Sequence, residues 1–129
     1  MKFTTLSGHV VAQSIISKEP GNFRSGFESE VYDKLVYRFP YDIILYEWHI
    51  PGNKRLSLDF FIPHRALAIE CDGAHHHTYN KFFQTSPKAL VTQKTNDNLK
   101  DEFCRLNDIV LIRLNKVEEF EQYDKLRIS

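Results

Sequence analysis

Some segments of the chain repeat apolar positions with the period of a helix, and others are short apolar runs without that period. The first kind predicts helices and the second predicts strands. Between Phe27 and Phe39, apolar side chains recur at about 100° per residue, which predicts a helix that Ser25 caps and Pro40 ends. Glu28 falls inside the apolar arc of this helix, whereas Glu30 projects from the far side. Since a carboxylate on an apolar face needs a partner, Glu28 is a first candidate for a functional role.

Short apolar runs without helical spacing predict strands, separated by turns such as residues 51–53. The predicted strands are Ile43 to Ile50, Leu56 to Ile62, Leu67 to Asp72 and Ile109 to Leu114. A second helix is expected from about Lys94 to Leu106, residues 73 to about 90 look irregular, and the tail to Ser129 is expected to be helical. The second helix would present Leu99, Phe103 and Leu106 on one side, and Asp97, Lys100, Asp101 and Cys104 on the other. This order of elements favours an α/β domain with helices flanking a central mixed sheet.

Two of the predicted strands each carry a carboxylate where an apolar residue would be expected. If residues 63–66 form a four-residue hairpin loop, Ile62 pairs with Leu67, and stepping back along both strands puts Asp59 opposite Glu70. Two acids side by side in an apolar sheet repel and lose hydration, so a compensating charge is required. Mg²⁺ supplies it well, because this ion prefers one or two carboxylates together with water and phosphate oxygens.

The first 22 residues contain a short apolar stretch, with Val10, Val11, Ile15 and Ile16, and end in Pro20-Gly21-Asn22. We therefore divide the chain into an N-terminal arm, residues 1–22, and a domain, residues 23–129. The arm would pack either on its own domain or across a possible homodimer, and both alternatives stay open.

Composition limits the function classes. The chain has 129 residues, enough for one domain, and 17 basic residues balance 17 acidic ones. Zero net charge argues against a strongly nonspecific nucleic-acid binder, but not against a nuclease, whose catalytic acids cancel part of its basic surface. The apolar runs are too short for a membrane span, and the two cysteines have no zinc-site or disulfide spacing. We therefore expect a cytoplasmic protein that has no membrane partner.

The order of elements and acids resembles the PD-(D/E)XK nuclease superfamily. In that pattern a helix carries a Glu, a strand carries an Asp, and the next strand carries Glu-x-Lys. Glu28, Asp59 and Glu70 match the three acids, whereas Asp72 stands where the pattern has its Lys.

One subgroup of the superfamily departs from the pattern in the same way. It ends the second strand with Glu-x-Asp-Gly-x-x-His, continues with Asp-x-x-Lys/Arg on a helix, and ends a later strand in Arg. This chain has Glu70-Cys71-Asp72-Gly73-Ala74-His75-His76, then Asp97 and Lys100, then Val110-Leu111-Ile112-Arg113. The subgroup is similar to very-short-patch repair endonucleases and to phage homing endonucleases with a Glu, Asp, His, Asp site.

The resemblance implies a single restriction-endonuclease-like domain that acts as a metal-dependent DNA endonuclease of the homing or repair type, nicking or cleaving DNA in a bacterial or phage-infected host cell. Its catalytic residues would be Glu28, Asp59, Glu70, His76, Asp97 and Lys100. Mg²⁺, for which Mn²⁺ can substitute, would be held by Asp59, Glu70 and the carbonyl oxygen of Cys71. Imidazole suits a general base near neutral pH, and the Gly-x-x-His spacing favours His76, with His77 as its rival and His75 third.

Two alternatives share these residues. The first is a nucleic-acid-binding relative that has lost catalysis, and the second is a junction-resolving nuclease with the same acids on a branched substrate. The presence of both Asp59 and Glu28 favours an enzyme, since a binding module does not need them.

Overall fold

A computed structural model of the chain describes residues 1–16, 19–72 and 87–123. The strands are β1 (Lys2–Thr4), β2 (Val10–Ala12), β3 (Leu45–Ile50), β4 (Asn53–Ile62), β5 (Leu67–Cys71) and β6 (Val110–Leu114), and the helices are α1 (Gly26–Arg38), α2 (Pro87–Leu106) and α3 (Glu119–Tyr123). Within these ranges, every helix is too short or too polar to cross a membrane.

Four of the strands form a mixed sheet in the order β3-β4-β5-β6. The β3–β4 and β4–β5 pairs are antiparallel, whereas β5 and β6 run parallel. The α/β class and the central mixed sheet expected from the sequence are confirmed. β1 and β2 form a separate antiparallel hairpin.

The register of the β4–β5 hairpin is the one that the sequence predicts. Ile62 pairs with Leu67 across a single 3-10 turn, Pro63–Arg65. Ala66 closes the turn in the left-handed region, at φ 49°, and its N–H donates to the carbonyl of Pro63. This register fixes which residues of the two strands are neighbours further along the hairpin.

Helix α1 also has the predicted phase. The Ser25 side chain caps it by accepting the Glu28 N–H at 3.2 Å, and the helix ends just before Pro40. Val31 and Leu35 are fully buried, and Glu28 is buried beside them, whereas Glu30 is exposed. The arc of apolar positions therefore identifies the face that packs on the sheet.

Apolar side chains pack on both faces of the four-stranded sheet. The first core, on the side of α1, contains Val31, Leu35, Phe39, Phe60, Ile62, Leu67, Ile69, Cys71, Ile112, Leu114 and Phe120. The second core, on the side of α2, contains Phe3, Leu45, Trp48, Ile50, Leu56, Leu58, Phe61, Ala68, Phe103, Cys104 and Ile109. The sheet is thus covered on both faces, as expected for a sheet between helices.

The alternation of side chains between the two cores is interrupted at one level of the sheet. On β4, Leu58 and Phe61 both reach the second core although they are three residues apart, and on β3 the same holds for Leu45 and Trp48. Glu47 lies within the irregular part of β3 with φ 53°, a left-handed conformation that residues with a Cβ rarely adopt. Asp59 lies between Leu58 and Phe61 on β4, so one of the predicted site residues stands at this irregular level of the sheet.

Two expectations about α2 were wrong. The helix starts at Pro87 rather than near Lys94, because its first two turns are exposed and carry no apolar periodicity for a sequence pattern to detect. Cys104 does not share the polar side of α2: it is 2% exposed and lies beside Phe103 in the second core. The buried face of the helix includes both Phe103 and Cys104. The helix is therefore rotated about its axis relative to the orientation that the sequence predicted.

The N-terminal hairpin contacts the second core mainly through Phe3, and Leu6, Val11 and Ile15 pack against the same core. Phe3 is 4% exposed, and the centroid of its ring lies 5.1 Å from that of Trp48, 6.1 Å from that of Phe61 and 6.2 Å from that of Phe103. The backbone adds a second link, because the Thr4 N–H donates to Oδ1 of Asn107 at 2.8 Å. Of the two alternatives for the arm, packing on its own domain therefore holds for β1 and for Val11 and Ile15, whereas Val10 and Ile16 are exposed.

We expect Phe3→Ala to lower the free energy of unfolding by about 3 kcal/mol, the usual cost of removing a buried aromatic ring. Val10→Ala on the same hairpin, where Val10 is 66% exposed, should change it little. Chemical denaturation of both variants measures the difference. Equal stability of Phe3→Ala, Val10→Ala and wild type would show that the Phe3 ring does not stabilise the core.

Candidate active site

The predicted pair of acids lies where the ladder between β4 and β5 ends. The paired residues run from Ile62 and Leu67 to Phe60 and Ile69. Beyond that point the strands are joined through carboxylates: the Asp59 N–H donates to Oε2 of Glu70 at 3.0 Å, and the Cys71 N–H donates to Oδ2 of Asp59 at 2.7 Å. The two acids are thus neighbours, as the hairpin register predicts.

A basic side chain reaches this pair from each helical layer. From the segment before α1, Nη2 of Arg24 lies 2.6 Å from Oδ1 of Asp59. From α2, Nζ of Lys100 lies 2.5 Å from Oε1 of Glu70. Asp59 and Glu70 are 8% and 3% exposed, so these are charge-assisted contacts in a largely dehydrated place.

Glu28 belongs to the same cluster. Its Oε2 lies 3.1 Å from Nη2 of Arg24, and its Oε1 accepts the Tyr46 hydroxyl at 2.6 Å and the Arg24 N–H at 3.0 Å. Glu28 is therefore connected to Asp59 through the Arg24 guanidinium, which contacts both carboxylates.

The other predicted site residues on the described chain lie nearby. Asp97 and Lys100 line one cleft together with Glu28, Asp59, Glu70 and Asp72. Asp72 forms an ion pair of 3.6 Å with Nε of Arg113, whose other nitrogens donate to Asp101 and to the carbonyl of Asp97. Arg113 therefore braces α2 against the sheet. His75, His76 and His77 lie outside the described residues.

Sequence reasoning missed Arg24 and Tyr46. Arg24 could have been predicted from the sequence, since it stands four residues before Glu28. At this spacing opposite charges meet near the start of a helix. Tyr46 gave no such signal, because its hydroxyl reaches Glu28 only once β3 and α1 have packed together.

Burial and repulsion between the acids disfavour the ionised form of Asp59. Burial raises the pKa of Asp59 to about 7, and the neighbouring Glu70 carboxylate adds to the effect, while the Cys71 N–H acts against it. Burial also raises the pKa of the Cys71 thiol and raises that of Cys104 to about 12. The thiols therefore stay protonated near neutral pH and are poor nucleophiles and metal ligands. The reactive groups of the cleft are its carboxylates and its basic side chains.

The donor set suits a hard divalent cation. Among residues 1–16, 19–72 and 87–123, no group of three or more His, Cys, Asp and Glu side chains is arranged to hold a metal. Mg²⁺ needs only one or two carboxylates when water and phosphate supply the remaining oxygens. Asp59 and Glu70 meet that requirement, and a cation bound to them would favour the ionised form of Asp59 that burial disfavours.

The raised pKa of Asp59 predicts a pH-dependent stability. In the unfolded chain this group has an ordinary pKa of about 3.9. Its contribution to the free energy of unfolding is thus complete below pH 4 and is lost as the pH rises through about 7. In EDTA, wild type should lose on the order of 1 to 3 kcal/mol between pH 5 and 8 relative to Asp59→Asn, which cannot ionise.

Denaturation at several pH values measures this difference, and the comparison cancels the histidines common to both proteins. Asp33→Asn, at an exposed position of α1, should keep the wild-type slope. Parallel slopes for wild type and Asp59→Asn would mean that Asp59 is ionised throughout the range.

Comparisons with known proteins give two relatives. The chain is 37% identical over 65 residues to uncharacterized protein 033L of Invertebrate iridescent virus 3, and 32% identical over 63 residues to uncharacterized protein 307L of Invertebrate iridescent virus 6. Each match spans about half of this chain but only about a third of the relative, 33% and 32% respectively. No family model and no solved structure matches the chain.

Proposed function

We propose that this protein is a metal-dependent DNA endonuclease with a single restriction-endonuclease-like domain, which hydrolyses phosphodiester bonds in the cleft at the ends of β4 and β5. One observation carries the proposal: two buried carboxylates, Asp59 and Glu70, are held side by side on inner strands and face cations from both layers. Such a pair opposes folding through dehydration and repulsion, and strongly perturbed acids in a cleft are typical of catalytic sites.

The order of the elements supports the proposal. An acid on α1, an acid on each strand of an antiparallel hairpin, and the Asp97 and Lys100 pair on the helix before a parallel strand all contribute to one cleft. This is the arrangement that the resemblance to PD-(D/E)XK nucleases implies.

In this proposal Asp59, Glu70 and the Cys71 carbonyl would hold Mg²⁺, with Mn²⁺ as a substitute. The ion would supply positive charge to the scissile phosphate and to the leaving oxygen. The chain's own groups would position the reactants: Glu28 or Asp97 would orient water in the cleft, and His76 would accept its proton. The roles of His76 and of its rivals His77 and His75 stay predictions.

Lys100 takes over part of the role of the missing motif Lys. The position of that Lys is held by Asp72, yet the ammonium of Lys100 lies 2.5 Å from Glu70 and reaches it from α2 instead of from the strand. Its side chain is 18% exposed, so the charge is retained inside the site rather than in solvent. Lys100 would neutralise a phosphate oxygen next to Glu70.

A specific observation favours the second candidate, a nucleic-acid-binding relative without catalysis. All four carboxylate oxygens of Asp59 and Glu70 accept an N–H at 3.0 Å or less. A polar cluster in which every acceptor is satisfied can persist in a fold for structural reasons. Catalysis is therefore the property to test first.

We expect cleavage of DNA in Mg²⁺ or Mn²⁺, none in EDTA, and none with Asp59→Ala. The assay compares supercoiled, linear, mismatched and branched DNA, so it also separates a repair or homing enzyme from a junction-resolving one. Asp33→Ala, at an exposed position of α1, is the matched control. Full activity in EDTA or with Asp59→Ala would exclude the metal mechanism, and binding without cleavage would favour the second candidate.

The two glutamates of α1 make a sharper test of the site. Glu28→Gln should lower the cleavage rate by about a hundredfold or more, the effect expected of a group that positions or activates water. Glu30→Gln should leave the rate unchanged, since Glu30 is exposed on the far side of the helix. Single-turnover rates of the two variants decide between these roles, and equal effects would exclude Glu28 from the reaction.

The possible homodimer also stays a prediction. Val10 and Ile16 are 66% and 72% exposed, so part of the N-terminal apolar stretch is available to a second copy.

A further inference from the structure

The Arg24 guanidinium lies between two acids, Asp59 and Glu28. Its Nη2 atom lies 2.6 Å from Oδ1 of Asp59 and 3.1 Å from Oε2 of Glu28, and Nη1 lies 3.8 Å from Oε1 of Glu47. One nitrogen thus bridges carboxylates supplied by α1 and β4. A divalent cation held by Asp59 would compete directly with this guanidinium for Oδ1 of Asp59.

The backbone N–H of Arg24 is held by two hydrogen bonds, whereas more than half of its side chain is exposed to solvent. The Arg24 N–H donates to Oε1 of Glu28 at 3.0 Å and to the Tyr46 hydroxyl at 3.2 Å. The side chain is nevertheless 56% exposed, in contrast to 18% for Lys100 on the other side of the pair. A long side chain on a fixed backbone can move its charge by several ångströms through rotation alone.

We propose that Arg24 is a lock on the metal position at Asp59: its guanidinium occupies Oδ1 of Asp59, one of the oxygens that would hold the divalent cation, and a substrate phosphodiester frees this oxygen by drawing the guanidinium to its own oxygens. The inference rests on the proposed function. Its physical basis is that guanidinium groups bind phosphate in a forked geometry at least as well as they bind carboxylate. The bound ion would then be coupled to the bound substrate.

The first test is calorimetric titration of the full chain with Mn²⁺ in the absence of nucleic acid. Because Arg24→Gln removes the competing charge, we expect it to bind Mn²⁺ about tenfold more tightly than wild type, a difference of about 1.4 kcal/mol. Arg24→Lys keeps the charge without the fork and should fall between them. Arg105→Gln, which removes an exposed arginine paired with Glu102 on α2, should match wild type. Circular dichroism verifies that each variant folds.

The second test is binding of a short fluorescent DNA duplex in EDTA, followed by anisotropy. Arg24→Gln should bind the duplex several-fold more weakly, since its phosphate contact is gone. Opposite changes in the two affinities distinguish a lock from a structural residue, whose loss would weaken both.

Each other outcome overturns the inference. Equal Mn²⁺ affinities of wild type and Arg24→Gln, both abolished by Asp59→Asn, would exclude the lock and leave the proposed function standing. Weaker Mn²⁺ binding by Arg24→Gln would exclude it as well. If no variant shows binding that depends on Asp59, both the lock and the metal-dependent function fall.

Discussion

The structure depends on holding two carboxylates, Asp59 and Glu70, next to each other inside a sheet. Two like charges 4 Å apart repel by about 4 kcal/mol at an effective dielectric constant near 20, before any cost of dehydration is counted. The surrounding contacts offset this cost: two backbone N–H groups, an ammonium and a guanidinium each take one of the four oxygens. A protein does not need such a pair to close a hairpin, since apolar residues at both positions would do so with less opposition.

The two layers balance the pair in different ways. Lys100 belongs to the long helix α2 and is mostly enclosed, so its charge is a permanent part of the site. Arg24 precedes α1, and more than half of its side chain is exposed, so its charge stays in contact with solvent. The irregular stretch of β3, with Glu47 at φ 53°, lies beside Arg24. The cation next to Glu70 is therefore enclosed, whereas the cation next to Asp59 is open to solvent.

Local periodicity predicted much of this arrangement, and long-range packing accounts for the rest. The phase of α1 and the register of the β4–β5 hairpin follow from short patterns, which is why Glu28, Asp59 and Glu70 could be named in advance. The first turns of α2 could not, because they are exposed and carry no apolar periodicity. The burial of Cys104 could not, because it depends on how the helix packs against the second core. Tyr46 was missed for the same reason: its role exists only between two elements that are distant in sequence.

Topology explains why Lys100 is available to Glu70 at all. β5 and β6 run parallel, and parallel neighbours require a crossover of a dozen or more residues, usually through a helix. That crossover contains α2, and the pairing of Glu70 with Arg113 fixes where its end returns to the sheet. Arg113 then binds back to α2 through Asp101 and the Asp97 carbonyl, which sets the position of the helix along the strands. An antiparallel β6 would need only a short turn after β5, and it would leave the second carboxylate without its enclosed cation.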